Sequence, residues 1–134
     1  MGYLIDSDWV VDHLAGDEEA NRLLSGLSDE GIVISIITYI EIYQGVLRSP
    51  TPKDAEQKLQ AFVDTISILS ITPAVARRCA HIRETLRKQR KEFRRRAFDL
   101  LIAATALEYD LTLVTRNRED YEDVPNIRFY QPSS

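Results

Sequence analysis

Short apolar runs alternate along the chain with longer segments that have the spacing of helices. Residues 3–5, 32–34, 66–71 and 111–115 are typical of strands, and a last run at 127–130 predicts an edge strand. The second run is continuously apolar and β-branched, without polar alternation. That pattern is typical of a parallel strand that is covered on both faces.

Helical spacing fills the segments between these runs. It predicts six helices: from Trp9 to Gly16, from Asp17 to Leu27, from Ile37 to Arg48, from Pro52 to Asp64, from Pro73 to Lys91 and from Asp99 to Asp110. Ser7 or Asp8 is expected to cap the first of them. Strands and helices that alternate in this way predict an α/β fold, a three-layer α/β/α sandwich with a mostly parallel central sheet. No repeat or linker divides the chain, so a single domain over residues 1–134 is expected.

The composition, 44% hydrophobic and 28% charged, is that of a soluble globular protein. A single cysteine, Cys79, excludes an internal disulfide, and two distant histidines without paired cysteines argue against a zinc site. The longest uncharged run, residues 31–40, is half the length needed to cross a bilayer. Three apolar residues before Asp6 are too few for a signal peptide, so a cytoplasmic location without membrane contact is expected.

The net charge of −4 hides an uneven distribution. Residues 87–96 carry seven basic groups and one acid, whereas the rest of the chain has 10 basic and 20 acidic residues. Such a basic segment can bind phosphates. It is equally consistent with a solvated helix face that offsets the acids.

Three carboxylates occupy positions where folding alone would not put them. Asp6 follows the first strand, Glu41 lies among isoleucines inside the third helix, and Asp99 begins an apolar helix. Taken singly, Asp6 and Asp99 could be helix N-caps or surface acids. Glu41 has Ile37 and Gly45 as its neighbours four residues away, so its face is expected to be apolar and closely packed. Buried carboxylates need a partner, and no matched basic residues lie nearby in the sequence.

A divalent cation would balance all three charges together. Carboxylates without histidine or thiol form a hard oxygen site, which is suited to Mg²⁺ or Mn²⁺. Such a site can activate a water and stabilise the transition state of phosphodiester hydrolysis. The segment after the fourth strand adds Thr115, Asn117 and Asp120, which could bind a phosphate, a metal or its water, or only form a turn.

Three sequence blocks resemble PIN-domain ribonucleases, most closely the VapC-type toxins of toxin–antitoxin modules. They are YLIDSD at 3–8, ISIITYIEIYQGV at 34–46 and DLLIAATALEYDLTLVTRNRED at 99–120. The resemblance implies an endoribonuclease with a PIN-like sandwich that cleaves RNA with Mg²⁺ or Mn²⁺. It also implies a homodimer and a cognate antitoxin that neutralises the toxin.

Carried over by position, the resemblance makes Asp6, Glu41 and Asp99 the core acids and metal ligands. Asn117 occupies the place of a fourth acid, with Asp120 nearby. The first block departs from the usual Asp-Thr-Asn, because Ser7 and Asp8 follow Asp6 here. All three core acids are present, which favours an enzyme over a non-catalytic PIN-like binding module.

The segment before Asp99 departs from the family's Gly-rich loop and reads Arg94-Arg95-Arg96. We expect some of these arginines, together with Thr115, to contact the RNA backbone. A signalling receiver domain, the other candidate of this size and layering, also needs a Lys after a late strand. No Lys follows Lys91, which excludes it.

Overall fold

The computed structural model describes residues 2–132. Strands and helices alternate in these residues, in the order β1 Tyr3–Ile5, α1 Ser7–Leu14, α2 Glu18–Leu27, β2 Ile32–Ser35, α3 Ile36–Arg48, α4 Pro52–Val63, β3 Ser67–Leu69, α5 Pro73–Lys88, α6 Ala97–Glu108 and β4 Thr112–Val114. Short 3-10 turns lie at Ser28–Glu30, Arg94–Arg96 and Arg118–Asp120. The predicted α/β architecture is confirmed.

The four strands form one parallel sheet in the order β3-β2-β1-β4. The central strand β1 pairs with β4 in a register that sets Ile5 opposite Val114. The chain leaves β1 towards β2 on one side and returns at β4 on the other. The carboxyl ends of β1 and β4 therefore meet where the strand order reverses, which is the usual ligand site of an open α/β sheet.

Buried side chains cover both faces of the sheet. Leu4 and Leu113 point to one face and pack with α5 and α6, whereas Ile5 and Val114 point to the other and pack with α1 to α4. This alternation explains why the strands are continuously apolar. No helix in residues 2–132 has both the length and the apolar run needed to span a bilayer.

Several predicted elements are shorter than expected. The third strand is limited to Ser67–Leu69, and α5 ends at Lys88 because Arg90 has a left-handed backbone with φ of 58°. The expected edge strand at 127–130 is a single parallel bridge between Leu113 and Phe129. The polar residues 133 and 134 lie outside the described part of the chain.

The starts of two helices were predicted incorrectly. Helix α1 begins at Ser7, and its N-cap is Asp6, whose carboxylate accepts a hydrogen bond from the Ser7 amide. The expected caps Ser7 and Asp8 are thus already inside the helix. Helix α6 begins at Ala97, so Asp99 lies in its first turn and is not its cap.

Candidate active site

The register of the sheet brings Asp6 and Thr115 together. Each residue directly follows a strand, and the pairing of Ile5 with Val114 places the two side by side. The Thr115 hydroxyl donates to Asp6 Oδ2 at 2.7 Å, and the Asp6 amide donates to the Val114 carbonyl at 2.9 Å. Thr115 therefore orients the carboxylate of Asp6.

Asp6 is a buried carboxylate with hydrogen-bond donors but no basic partner. Its side chain is 7% exposed. Oδ1 accepts from the Ser7 amide at 2.8 Å, while Oδ2 accepts from Thr115 and, at 3.2 Å, from the Tyr121 hydroxyl. No Lys or Arg in residues 2–132 forms an ion pair with Asp6. Neutral donors hold the carboxylate in place but leave its charge uncompensated.

Asp99 approaches Asp6 from α6. The Tyr121 hydroxyl lies 3.4 Å from Asp99 Oδ1, so a single hydroxyl contacts both carboxylates. Burial raises the pKa of the Asp99 carboxyl, and the charges of Asp120 and Asp6 raise it further. The Tyr121 hydrogen bond and the charge of Arg96 act in the opposite direction. Asp99 is therefore half-buried in an acidic environment, where its charge is disfavoured.

Glu41 lies on α3, and its carboxylate is near enough to Asp6 and Asp99 to experience their charges. Burial raises the pKa of its carboxyl, and the negative charge of Asp6 raises it further, whereas a hydrogen bond from Ser7 lowers it. The prediction that its helix face is closely packed is only half correct. Ile37 is buried, but Gly45 is exposed and a Cβ added there would meet open space.

The two candidates for the fourth site position have different surroundings. The Asn117 side-chain amide donates to Asp8 Oδ2 at 2.8 Å, and its backbone amide donates to the Thr115 hydroxyl at 3.0 Å. Asp120 is exposed, and its charge is the largest Coulombic contribution that raises the pKa of Asp99. The charge of Asp120 therefore acts on Asp99, whereas the side-chain amide of Asn117 is hydrogen-bonded to Asp8.

The three arginines before α6 differ from one another. Arg96 is 19% exposed and forms a bidentate ion pair with Asp123, with distances of 2.6 and 2.8 Å. It also donates to the Asp120 carbonyl at 2.8 Å. Arg94 is exposed, with its guanidinium 5.6 Å from the centre of the Phe93 ring, and Arg95 is exposed. Arg96 is thus part of the fold, and the other two face solvent.

Tyr121 is the site residue that sequence reasoning missed. It is 1% exposed, and Val124 beside it is also buried. The two apolar residues lie three positions apart after the acidic turn, and this spacing indicates that both are buried. It does not indicate where the Tyr121 hydroxyl points. Burial raises the pKa of Tyr121 well above its ordinary value, and the charges of Asp6 and Asp99 add to this. Its hydroxyl therefore stays protonated and can donate.

The acids surround a common region without forming a ready-made cage. In the described part of the chain, no three His, Cys, Asp or Glu side chains are close enough together to hold a metal ion as they stand. Burial raises the pKa of both Glu41 and Asp99, and the negative charge of Asp6 contributes to the rise in each. The arrangement concentrates negative charge at the edge of the sheet where β1 and β4 end.

The chain is similar to known nucleases along nearly its whole length. The PIN domain family model matches residues 3–126. The tRNA(fMet)-specific endonuclease VapC of Shigella flexneri is 25% identical over 96% of both chains. Ribonuclease VapC19 of Mycobacterium tuberculosis is 30% identical over 93% of this chain and 96% of its own length. Among solved structures, a toxin-antitoxin complex from Klebsiella pneumoniae contains a chain that is 25% identical, with a TM-score of 0.75 over 98% of this chain and all of that one.

Proposed function

The chain belongs to the PIN domain family, and from that membership we propose that it is a metal-dependent endoribonuclease, the toxin of a toxin–antitoxin pair. The observation that carries the proposal is the pairing of Asp6 and Asp99. Two carboxylates from different elements share one hydroxyl at the edge of the sheet, and neither has an ion-pair partner in residues 2–132. A bound cation would balance the two charges of such a site. The stability of the fold alone does not require two neighbouring carboxylates without a basic partner.

The donor set fits a hard divalent cation. All the candidate ligands are oxygens, and burial, followed by repulsion from neighbouring carboxylates, raises the pKa of Glu41 and Asp99. Mg²⁺ commonly binds one or two carboxylates and completes its shell with waters and substrate phosphate, so a three-acid cage is not required. Asp6 and Asp99 would hold Mg²⁺ or Mn²⁺, with Glu41 in direct or water-mediated contact. When bound, the cation supplies charge neutralisation at the scissile phosphate and activation of water.

The chain's own residues have separate tasks in this reaction. Thr115 and the Ser7 amide fix the carboxylate of Asp6. Asp120 is the better candidate for orienting the attacking water, because its charge reaches Asp99 while the amide of Asn117 is engaged with Asp8. Asn117 then has an indirect task, since its backbone amide holds the Thr115 hydroxyl.

RNA docking falls to the exposed part of the basic segment. Arg94 and Arg95 are exposed, whereas Arg96 is occupied by Asp123 and Thr115 by Asp6. Arg94 lines a surface pocket together with three further cations, Arg87, Arg90 and Lys91, and one acid, Glu92. In an otherwise acidic protein, this surface is the region that can attract the phosphates of RNA.

We also propose a protein antitoxin and a second copy of the chain as partners, in the cytoplasm. The similar Klebsiella pneumoniae chain is part of a toxin-antitoxin complex. Large apolar side chains are exposed on several helices, at Val11, Ile40, Leu47, Phe98 and Tyr109. Single exposed apolar residues are ordinary, so the partners are proposed from the similar toxin-antitoxin complex and not from these side chains.

The proposal is tested by incubating the purified chain with a mixed RNA pool that includes tRNA, in Mg²⁺ or Mn²⁺. Asp6→Asn and a chelator are the negative controls. Asp17→Asn is the matched control, since Asp17 is also a helix N-cap, on α2. We expect cleavage by the wild type and Asp17→Asn, and none by Asp6→Asn or with chelator. Full metal occupancy without cleavage of any RNA would favour a non-catalytic RNA- or protein-binding module.

A further inference from the structure

The Tyr121 hydroxyl lies within hydrogen-bonding distance of both Asp6 and Asp99. It lies 3.2 Å from Asp6 Oδ2 and 3.4 Å from Asp99 Oδ1. Asp6 is held by the end of β1, and Asp99 by the first turn of α6. In residues 2–132 no other hydrogen-bonding group contacts both of these side chains.

The position of this hydroxyl is fixed by the core and by one ion pair. The ring of Tyr121 is buried in the cluster that also holds Leu100 and Leu113. The turn that carries it is tied to the residues before α6, because Arg96 bonds both Asp123 and the Asp120 carbonyl. The hydroxyl is therefore connected through Arg96 to the start of the helix that carries Asp99.

A phenol hydroxyl has one hydrogen and can donate fully to one carboxylate at a time. It cannot neutralise two negative charges, so it does not replace a cation. It can, however, limit the rotation of whichever carboxylate accepts its hydrogen, and both lie within reach, at 3.2 and 3.4 Å. Asp99 Oδ2 accepts no hydrogen bond from any described residue and stays open to a ligand.

We propose that Tyr121 is a positioning residue, whose hydroxyl turns Asp6 and Asp99 towards one shared divalent cation. This role rests on the proposed metal-dependent function. Groups that orient metal ligands from behind typically contribute 10–100-fold to metal affinity. Tyr121 is thus assigned to metal binding without being a ligand itself.

The test measures Mn²⁺ binding to the full chain by titration calorimetry and by the electron spin resonance signal of free Mn²⁺. Tyr121→Phe removes only the hydroxyl and keeps the buried ring. Tyr3→Phe is the matched control, because the Tyr3 hydroxyl donates to another carboxylate, Glu30, at 2.9 Å. We expect Tyr121→Phe to bind Mn²⁺ about tenfold more weakly than the wild type, and Tyr3→Phe to bind equally well.

Equal or tighter binding by Tyr121→Phe would overturn the positioning role and leave the metal centre intact. Asp6→Asn separates the two proposals, because it should lose Mn²⁺ whatever Tyr121 does. A wild type that binds no Mn²⁺ would overturn the metal centre and this role with it.

A second measurement is made on the wild type and does not need a folded Tyr121 variant. The ¹³Cζ resonance of Tyr121 is assigned by elimination, with Phe replacements at the other five tyrosines. Saturating Mg²⁺ should shift this resonance and leave that of Tyr3 unchanged, because only Tyr121 bonds the two carboxylates. A Tyr121 resonance that does not respond to Mg²⁺ would contradict the proposal.

Discussion

The carboxylate site, formed by Asp6, Glu41 and Asp99, differs in structure from the basic segment at 87–96, although Asp99 follows that segment closely in the chain. Asp6 is buried and accepts hydrogen bonds from the Ser7 amide at the start of α1 and from the hydroxyls of Thr115 and Tyr121. Most of the basic segment lies beyond the end of α5, and Arg94 and Arg95 are exposed. Chemistry at one phosphorus needs fixed positions, whereas attraction of a polyanion tolerates mobile charges.

Arg96 links the two regions. It belongs to the basic segment by sequence, yet it is 19% exposed and pairs with Asp123 in the turn that carries Tyr121. Its neighbours Arg94 and Arg95 face outwards. Three consecutive arginines therefore differ in their surroundings: Arg96 supports the turn beside the acids, whereas Arg94 and Arg95 have the exposure that the proposed RNA contacts require.

The largest expected effect is on chemistry. Asp99→Asn keeps the shape of the side chain and removes one negative ligand. We expect single-turnover cleavage to fall by more than about 100-fold, because losing a ligand should cost more than losing a group behind it. Stability of the metal-free chain should not fall, since repulsion from Asp6 and Asp120 is relieved. Glu108→Gln, at the far end of the same helix, is the control, and equal cleavage by Asp99→Asn would contradict the assignment.

The second largest effect is expected on stability, through the ion pair between Arg96 and Asp123 that connects the two regions. Asp123→Asn removes the charged partner of Arg96, and both side chains are about four-fifths buried. We expect the free energy of unfolding in urea to fall by about 1.5–3 kcal/mol, which is typical for hydrogen bonds to charged groups. Glu84→Gln breaks an exposed pair with Arg87 and should change it by less than about 0.5 kcal/mol. Similar losses for the two variants would show that Arg96 is only a surface arginine.

A smaller effect is expected on RNA affinity. Replacing Arg94 and Arg95 by Ala removes two exposed cations without touching the acids. We expect the slope of log affinity against log salt to decrease by about 1.4 if both contact single-stranded RNA. The double replacement of Lys53 and Lys58 on α4 makes the same change in net charge. An unchanged slope in the arginine variant, or an equal change in the lysine variant, would mean that the basic segment is only a solvated face.

The smallest effect concerns pH. Burial and Asp6 raise the pKa of Glu41 above its ordinary value of 4.5 in the folded chain. At pH values between the pKa of Glu41 in the unfolded chain and its raised pKa in the folded chain, the folded chain binds more protons than the unfolded chain. The free energy of unfolding therefore falls as pH rises through this interval. We expect metal-free Glu41→Gln to melt higher than the wild type by roughly 2–4 °C at pH 7, and by less near pH 4.5. A difference that does not change with pH would contradict a raised pKa.

Much of this arrangement was predictable from local patterns. Asp6 and Asp99 are conspicuous because each adjoins an apolar element, and Thr115 follows another. Once β1 and β4 pair in parallel, contact between Asp6 and Thr115 follows from register. Helix α6 is apolar all round, so its burial was clear, but its start two residues before Asp99 was not.

The contacts of Tyr121 and Arg96 could not be predicted in the same way. Both depend on the backbone between Asn117 and Val124, where one 3-10 turn, Arg118–Asp120, is followed by residues with neither α-helical nor strand periodicity. The charge pattern of Arg94 to Arg96 is uniform, and only the position of Asp123 distinguishes the third arginine. The exposure of Gly45 was missed because a glycine in a helix does not reveal whether its face is covered.

The most direct measurement compares RNA affinity and single-turnover cleavage for the same two variants, on the RNA that the wild type cleaves best. Asp99→Asn should bind this RNA as the wild type does and cleave it more than about 100-fold more slowly in Mg²⁺. The double replacement of Arg94 and Arg95 should bind more weakly and cleave at the wild-type rate once RNA is saturating. Wild-type cleavage by Asp99→Asn, or slow cleavage by the arginine variant at saturating RNA, would contradict this division between the acids and the basic segment.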